Sequence, residues 1–155
     1  MSMTSKEFVL STMRKYGKAT AEALQAKASE MTGTELYTEK EFIPSFASAV
    51  AKMNMLKRQA GFVCLSPSGR VVELIQPYDS DIYTDEPEKL TAHYRFKWSQ
   101  NPKHARPFVC ITESYYRMND CCIAGDGTVR RSKLDVNTWD PMEHPEFWEV
   151  VEVTE

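Results

Sequence analysis

The 155-residue chain has 42% hydrophobic and 26% charged side chains and a net charge of −3. These proportions are typical of a globular protein and exclude a largely disordered chain. No stretch approaches the ~20 consecutive apolar residues of a membrane-spanning helix. The N-terminal residues mix charged and apolar side chains, which excludes the uninterrupted apolar core of a signal peptide. The sequence therefore predicts a cytoplasmic protein with no membrane partner.

Charge is distributed unevenly along the chain. Residues 1–78 contain 10 basic and 7 acidic side chains, whereas residues 79–155 contain 9 and 15. The asymmetry indicates either different partners for the two halves or attraction between them. It accompanies a predicted division into an N-terminal module (1–78), a linker or long loop (79–91), and a C-terminal module (92–155) with an acidic end.

Two helices are predicted in the first part of the N-terminal module. Thr4 and Glu7 have the spacing of a capping box, and the apolar stripe that follows them ends at Gly17. Thr20 is a suitable N-cap for a second, alanine-rich helix, which Gly33 closes. Both segments therefore combine a start signal, an apolar face and a stop signal.

A third helix is predicted from a second capping-box spacing. Thr38 and Glu41 precede an apolar stripe that continues to Leu56. Pro44 lies early in this segment, and a proline is tolerated only in the first turn of a helix. The regular part of the third helix is therefore expected to begin close to Pro44.

The third helix is followed by a predicted β-hairpin, because residues 61–65 and 70–75 are apolar runs around a Ser-Pro-Ser-Gly turn. Three helices and a two-stranded hairpin within residues 5–76 resemble the winged helix-turn-helix family. The resemblance implies that the third helix enters the major groove of DNA and that the hairpin contacts the backbone. It assigns contact with double-stranded DNA to Lys40, Ser45, Ser48, Lys52, Lys57, Arg58 and Arg70. The alternative is an ordinary solvated surface on a domain that binds another protein.

The C-terminal module is predicted to be a small, mainly antiparallel β structure. Its runs of aromatic and β-branched residues are typical of short strands, and a Gly-Asp-Gly turn joins two of them. The predicted strands are residues 93–98, 108–111, 121–124, 128–131 and 147–153. The chain as a whole is therefore assigned to the α+β class, with a three-helix winged-helix-like module followed by a β module.

Residues 139–150 form the most distinctive local segment, in which two tryptophans flank a proline-rich turn before the last strand. The segment resembles the ends of small carbohydrate-binding modules and of phage structural proteins. The resemblance implies exposed aromatic rings that stack on sugars or bases, and it makes Trp139, His144 and Trp148 a candidate partner or ligand surface. The alternative is that both tryptophans are buried and close a small β core.

Basic side chains of the second half, interleaved with aromatic ones, are a further candidate surface for single-stranded nucleic acid. Salt bridges on the strand faces are the alternative. The basic residues concerned are Lys97, Lys103, His104, Arg106, Arg117, Arg130, Arg131 and Lys133.

Motifs of catalysis are missing from the sequence. It contains no Gly-x-x-x-x-Gly-Lys loop, Gly-x-Ser-x-Gly elbow or His-Glu-x-x-His pair, so no enzyme activity, catalytic residue or cofactor is predicted. A zinc site built from His104, Cys110, Cys121 and Cys122 is disfavoured, because adjacent cysteines seldom both bind one metal ion with good geometry. Reduced, mostly buried thiols and no metal are expected.

The functional expectation is a non-catalytic accessory or regulatory protein. Its winged-helix-like half would contact duplex DNA or a DNA-bound protein, and its β half would contact a protein partner. One alternative is a protein-interaction module of the phage or mobile-element type, an inhibitor or structural component, with no nucleic-acid role. Another alternative is a carbohydrate-binding β module.

Overall fold

The computed structural model describes residues 18–153, so the predicted first helix lies outside the described residues. The described chain has helices α1 (18–27), α2 (Gly33–Thr38) and α3 (Phe46–Lys52). It continues with strands β1 (Val63–Leu65), β2 (Val71–Leu74), β3 (Tyr94–Phe96), β4 (Arg106–Pro107), β5 (Cys121–Ile123), β6 (Val129–Ser132) and β7 (Trp148–Val151). The helices precede the strands, and the predicted α+β class is confirmed.

Helix α2 was not predicted, although the sequence carries its start signal. The Thr32 hydroxyl accepts a hydrogen bond from the Glu35 amide at 3.2 Å, and the Glu35 carboxylate accepts one from the Thr32 amide at 3.1 Å. Gly33, predicted to close the preceding helix, is instead the first residue of α2. A Cβ at Gly33 would overlap the carbonyl oxygen of Trp98, so this helix packs against the chain after β3 only because residue 33 is glycine.

Helix α3 begins later than the spacing of Thr38 and Glu41 predicted. Residues Lys40–Phe42 form a separate 3-10 turn, and Ser45 caps α3 by accepting a hydrogen bond from the Ser48 amide at 3.2 Å. Pro44 explains the choice between the two caps, because a proline disfavours helical backbone at the residue before it. Ile43 is accordingly extended, and the helix begins two residues after Pro44, as the proline required.

The first sheet has the order β1-β2-β3, and all its pairs are antiparallel. The predicted hairpin is therefore present, with Cys64 opposite Val72. The outer edge of β1 is covered, because the Gln25 side chain of α1 exchanges two hydrogen bonds with the backbone of Val63, at 2.8 and 2.9 Å. The other edge of β2 pairs with β3, which follows the predicted linker in the sequence. The two predicted modules therefore share this sheet.

The second sheet has the order β4-β5-β6-β7, with a parallel pair between β4 and β5 and antiparallel pairs elsewhere. The strand predicted over residues 108–111 is wrong, because β4 ends at Pro107 and its last contact with β5 is the hydrogen bond of 2.9 Å from the Phe108 amide to the carbonyl oxygen of Ile123. In this segment Phe108 packs against other aromatic rings, and its ring centre lies 5.5 Å from that of Tyr116 and 5.9 Å from that of Trp148.

One hydrophobic core joins the two sheets. Its centre is a group of aromatic rings in which Trp98 stacks on Tyr116, with 4.3 Å between ring centres, and Tyr116 meets Trp148 edge-to-face at 5.3 Å. The same cluster includes Cys64 and Val72 of the hairpin. Residues on both sides of segment 79–91 are therefore packed against each other, and burial of each large aromatic side chain contributes about 1.5–3 kcal/mol. A second cluster, centred on Leu36 and Tyr37, fixes the helices to the first sheet.

Candidate functional site

The residues predicted to contact DNA are distributed over several elements. Ser45 is the N-cap of α3, and Ser48 is half-buried in its first turn. Lys52, at the end of α3, and Lys57, in the 3-10 turn that follows, are both exposed. Lys40 lies in the 3-10 turn before α3. Within residues 18–153, none of these three lysines has a carboxylate at ion-pair distance.

Arg58 is half-buried and its guanidinium is held by the protein. Nη2 donates a hydrogen bond of 2.6 Å to the carbonyl oxygen of Ala49, and the guanidinium lies 4.1 Å from the centre of the Phe62 ring. Burial lowers the pKa of Arg58 below its ordinary value, although the side chain stays charged at neutral pH. Arg58 therefore stabilises the contact between α3 and the hairpin.

Arg70 is buried, with 7% of its surface exposed, and does not lie on the predicted surface. Nη1 donates hydrogen bonds to Glu88 at 3.0 Å and to Ser68 at 2.8 Å, and Nη2 donates one to the carbonyl oxygen of Pro107 at 2.7 Å. These contacts tie the β1–β2 turn to the second sheet. The turn is therefore packed against other elements and does not project as a wing.

A groove of about 780 Å³ lies between α1, the chain before α3, and α3 itself. Phe42, Pro44 and Phe62 provide apolar lining, and Lys52 and Arg58 add positive charge. Two of the predicted DNA-contact residues thus lie beside a partly apolar groove.

A second cleft, of about 640 Å³, lies between the start of α2, β3 and residues 113–120. Arg95, Arg117 and Tyr115 are among its lining residues. Asp120 also lines it, and burial raises the pKa of this carboxyl above its ordinary value. No local motif could have indicated this cleft, because its lining comes from three separate segments.

The two tryptophans of segment 139–150 have different roles. Trp148 is buried in the aromatic core, whereas Trp139 is 46% exposed. The backbone of Trp139 is nevertheless fixed on both sides: its N–H donates to the side chain of Asn137 at 3.1 Å, and its carbonyl oxygen accepts from Nε1 of Trp148 at 2.8 Å. Asn137 is itself fully buried. Each predicted alternative therefore holds for one tryptophan, burial for Trp148 and exposure for Trp139.

The indole of Trp139 is framed by two other rings. The His144 ring lies 4.6 Å from it in an edge-to-face arrangement, and the Phe147 ring lies 5.7 Å away. His144 Nδ1 is 3.2 Å from the carboxylate of Glu146. Hydrogen bonds from its own backbone N–H and from His144 hold the pKa of Glu146 below its ordinary value. These residues form what we call the Trp139 platform (Trp139, His144, Phe147).

The segment that carries the Trp139 platform is acidic and partly apolar, and Lys133 lies beside it, where its backbone N–H donates to the carbonyl oxygen of Phe147 at 3.0 Å. Segment 134–153 contains six acidic side chains and no lysine or arginine: Asp135, Asp140, Glu143, Glu146, Glu149 and Glu152. Met142 and Val136 are half or more exposed in the same segment. The exposed ring of the Trp139 platform therefore lies in a segment that supplies carboxylate hydrogen-bond acceptors.

The cysteines are all free thiols. Cys64, Cys121 and Cys122 are buried, and burial raises the pKa of Cys64 to about 12, so this thiol stays protonated at neutral pH. In the part of the chain that the structure describes, no three His, Cys, Asp or Glu side chains are grouped to hold a metal ion. The same residues contain no helix of the length and apolarity that crossing a membrane requires.

Comparison of the chain with protein-family models, with curated proteins and with solved structures gives no match. The geometry and charge of the surfaces described above are therefore the basis for a functional proposal.

Proposed function

We propose that the chain is a non-catalytic binding protein that recognises a carbohydrate through the Trp139 platform. The observation that carries the proposal is the exposed indole of Trp139, whose backbone is held by Asn137 and Trp148. A rigid exposed ring loses little conformational entropy when a ligand stacks on it. Sugar rings present a face of C–H groups that suits this apolar surface, and their hydroxyl groups suit a polar border.

The charge around the platform favours a neutral ligand. Carboxylates such as Glu146 and Asp140 accept hydrogen bonds from sugar hydroxyl groups. The same carboxylates repel the phosphates of a nucleic acid, because neighbouring like charges cost free energy. The exposed ring alone would suit a nucleobase as well as a sugar. Because of the carboxylates, a neutral oligosaccharide fits the site better than a nucleic acid.

The proposal is tested by titrating cello-, xylo- and chito-oligosaccharides into the full chain and recording tryptophan fluorescence and heat. Burial of roughly 80 Å² of indole at ~25 cal/mol per Å² corresponds to about 2 kcal/mol, so Trp139→Ala should weaken binding about 30-fold. Tyr83→Ala removes another exposed aromatic ring and should leave binding unchanged. Equal affinity of the Trp139→Ala variant, or no response to any of the sugars, would reject the platform.

A second candidate function is contact with duplex DNA through the surface around α3. The observation that favours it is that Lys52 and Lys57 are exposed without a carboxylate partner among the described residues, beside Ser45 and Ser48. Arg58 adds charge at the base of this surface, Lys40 lies before α3, and Arg70 contributes nothing because it is buried. Phosphate contacts by lysine give affinity that falls steeply with salt.

Fluorescence anisotropy of a labelled duplex at two salt concentrations tests this second function. The Lys52→Gln, Lys57→Gln double variant should reduce the slope of log K against log salt by about 2, since each phosphate contact contributes about 0.9. Lys89→Gln, Lys133→Gln is the matched control, because both of these lysines are exposed elsewhere. A wild-type chain that leaves the anisotropy unchanged at low salt would eliminate the DNA function and leave the carbohydrate proposal untouched.

A further inference from the structure

Three segments bring basic side chains close enough to His104 for their charges to lower its pKa, and one of these side chains, Arg106, also lies against the β1–β2 turn. Lys40 lies after α2, Lys103 and His104 lie in the 3-10 turn Pro102–His104, and Arg106 begins β4. We call these four residues the cationic cluster. Their convergence is a tertiary feature, because more than 60 residues separate Lys40 from the others.

Two packing contacts fix the position of the cationic cluster. The His104 ring stacks on Tyr37 of α2, with 6.3 Å between ring centres and 24° between the planes. The guanidinium of Arg106 lies over the β1–β2 turn, where a Cβ at Gly69 would be 3.2 Å from its central carbon. The imidazole and the guanidinium are thus held against rigid parts of the fold.

The cluster carries polar groups without a partner. Nδ1 of His104 and Nε of Arg106 are buried and have no hydrogen-bond partner in the described chain. Lys40, Lys103 and Arg106 also have no carboxylate at ion-pair distance among residues 18–153. Buried polar groups of this kind are normally satisfied, and the exceptions call for an explanation.

Carboxylates are present near the cluster, but none forms an ion pair with it: Glu39 and Glu41 flank Lys40 in the sequence, and neither is at ion-pair distance from a cluster residue. The carboxylate of Glu88 is held at the β1–β2 turn, where Oε1 accepts hydrogen bonds from Ser68 and Arg70. The cluster therefore keeps an excess of positive charge. Burial is the largest cause that lowers the pKa of His104, and the charges of Lys40, Arg106 and Lys103 lower it further. His104 is accordingly neutral at pH 7.

We propose that the cationic cluster is a binding site for a phosphate group. A phosphate offers several acceptor oxygens, which suit the fork of a guanidinium, the ammonium groups of two lysines and an imidazole N–H together. The phosphate group belongs either to a small molecule or to a nucleic-acid backbone. The site is independent of the Trp139 platform, so failure of one proposal does not decide the other.

The experiment is a histidine-selective NMR titration of the full chain with pyrophosphate at constant ionic strength. The imidazole of His104 should shift in a saturable manner, and its pKa should rise because the bound anion stabilises the imidazolium. His93 and His144 serve as internal references and should not move. Sodium chloride at the same ionic strength separates binding from screening.

Variants locate the site. Arg106→Gln should weaken pyrophosphate binding about 10-fold or more, since hydrogen bonds between charged groups are the strong ones. Lys103→Gln, at an exposed position that the fold does not need, should weaken it several-fold, whereas Lys133→Gln should not change it. A parallel titration with a short DNA duplex identifies the source of the phosphate. A saturable shift of the His104 signal with either ligand supports the site. The ligand that binds more tightly then identifies the source of the phosphate group. The proposal is overturned if the His104 signal shifts with neither pyrophosphate nor the duplex, or if it shifts together with the signals of His93 and His144.

Discussion

Replacement of Arg70 by methionine tests the assignment of this residue to the interior. The structure gives Arg70 an ion pair with Glu88 in which the two side chains are only 8% and 14% exposed. Methionine fills a similar volume but leaves the Glu88 carboxylate buried without its cation. The carbonyl oxygen of Pro107 also loses its hydrogen bond.

The expected loss of stability is large. Removing one partner of a buried ion pair costs about 3–5 kcal/mol, because the remaining charge is desolvated and uncompensated. For a chain of this size such a loss lowers the midpoint of thermal unfolding by about 10 °C or more. An exposed arginine that contacted DNA would cost less than about 0.5 kcal/mol when replaced.

Urea unfolding of the full chain, followed by circular dichroism, measures this difference. The double variant Arg70→Met, Glu88→Leu is the control, since removing both charges together is often close to neutral. The double variant should therefore recover most of the stability that the single variant loses. A single variant within about 0.5 kcal/mol of the wild type would refute the buried position of Arg70.

The same ion pair predicts a dependence of stability on pH. Burial raises the pKa of Glu88, but hydrogen bonds from Ser66, Ser68, its own backbone and Arg70 outweigh burial, so the folded pKa lies below the ordinary value. The stabilisation is therefore complete above the ordinary carboxyl pKa and is lost as the pH falls through the folded pKa. The Glu88→Gln variant should show a flatter fall of unfolding free energy between about pH 5 and pH 3 than the wild type. Parallel curves for the two proteins would contradict the lowered pKa.

Three further predictions concern packing. Gly33→Ala should destabilise the chain by about 1–3 kcal/mol in urea unfolding, because the new methyl group overlaps the Trp98 carbonyl; an unchanged midpoint would contradict this contact. Cys110 is exposed and should react with a thiol reagent in the native state, whereas Cys64 should react only on unfolding, so rapid modification of both would disagree with the burial described. Asn137→Ala should cost about 2–4 kcal/mol and also weaken oligosaccharide binding, since Asn137 holds the backbone of the platform; destabilisation without a change in affinity would separate the two roles.

The hairpin and most strands were predictable, because their signals, runs of apolar residues and a Ser-Pro-Ser-Gly turn, depend only on neighbouring residues in the sequence. The start of α3 was not, since two capping signals compete there and Pro44 selects Ser45 over Thr38. The segment 108–111 was misassigned for a different reason. Phe108 is half-buried by ring packing against Tyr116 and Trp148, and a hydrophobic run alone does not distinguish that environment from a strand.

The candidate sites were likewise only partly predictable from the sequence. Arg70 was predicted on the surface because its partners, Glu88 and Pro107, are 18 and 37 residues away in sequence. For Trp139 and Trp148 the sequence indicated that the pair is important but left both burial and exposure open. The choice between them depends on how segment 139–150 packs on the aromatic core, which only the tertiary structure provides.

The hydrogen bonds between Gln25 and Val63 make the first sheet dependent on a helix. The backbone N–H and C=O of Val63 point away from β2, and the Gln25 amide satisfies both as a neighbouring strand would. Exchange of the Val63 amide hydrogen with solvent therefore reports undocking of α1, whereas exchange of the Leu74 amide, which donates to Phe62, reports opening of the hairpin. The rest of this edge does not depend on α1, because the Leu65 amide donates to the carbonyl oxygen of Pro44 at 2.8 Å, so undocking of α1 would uncover the edge of β1 at Val63 alone among the residues of that strand.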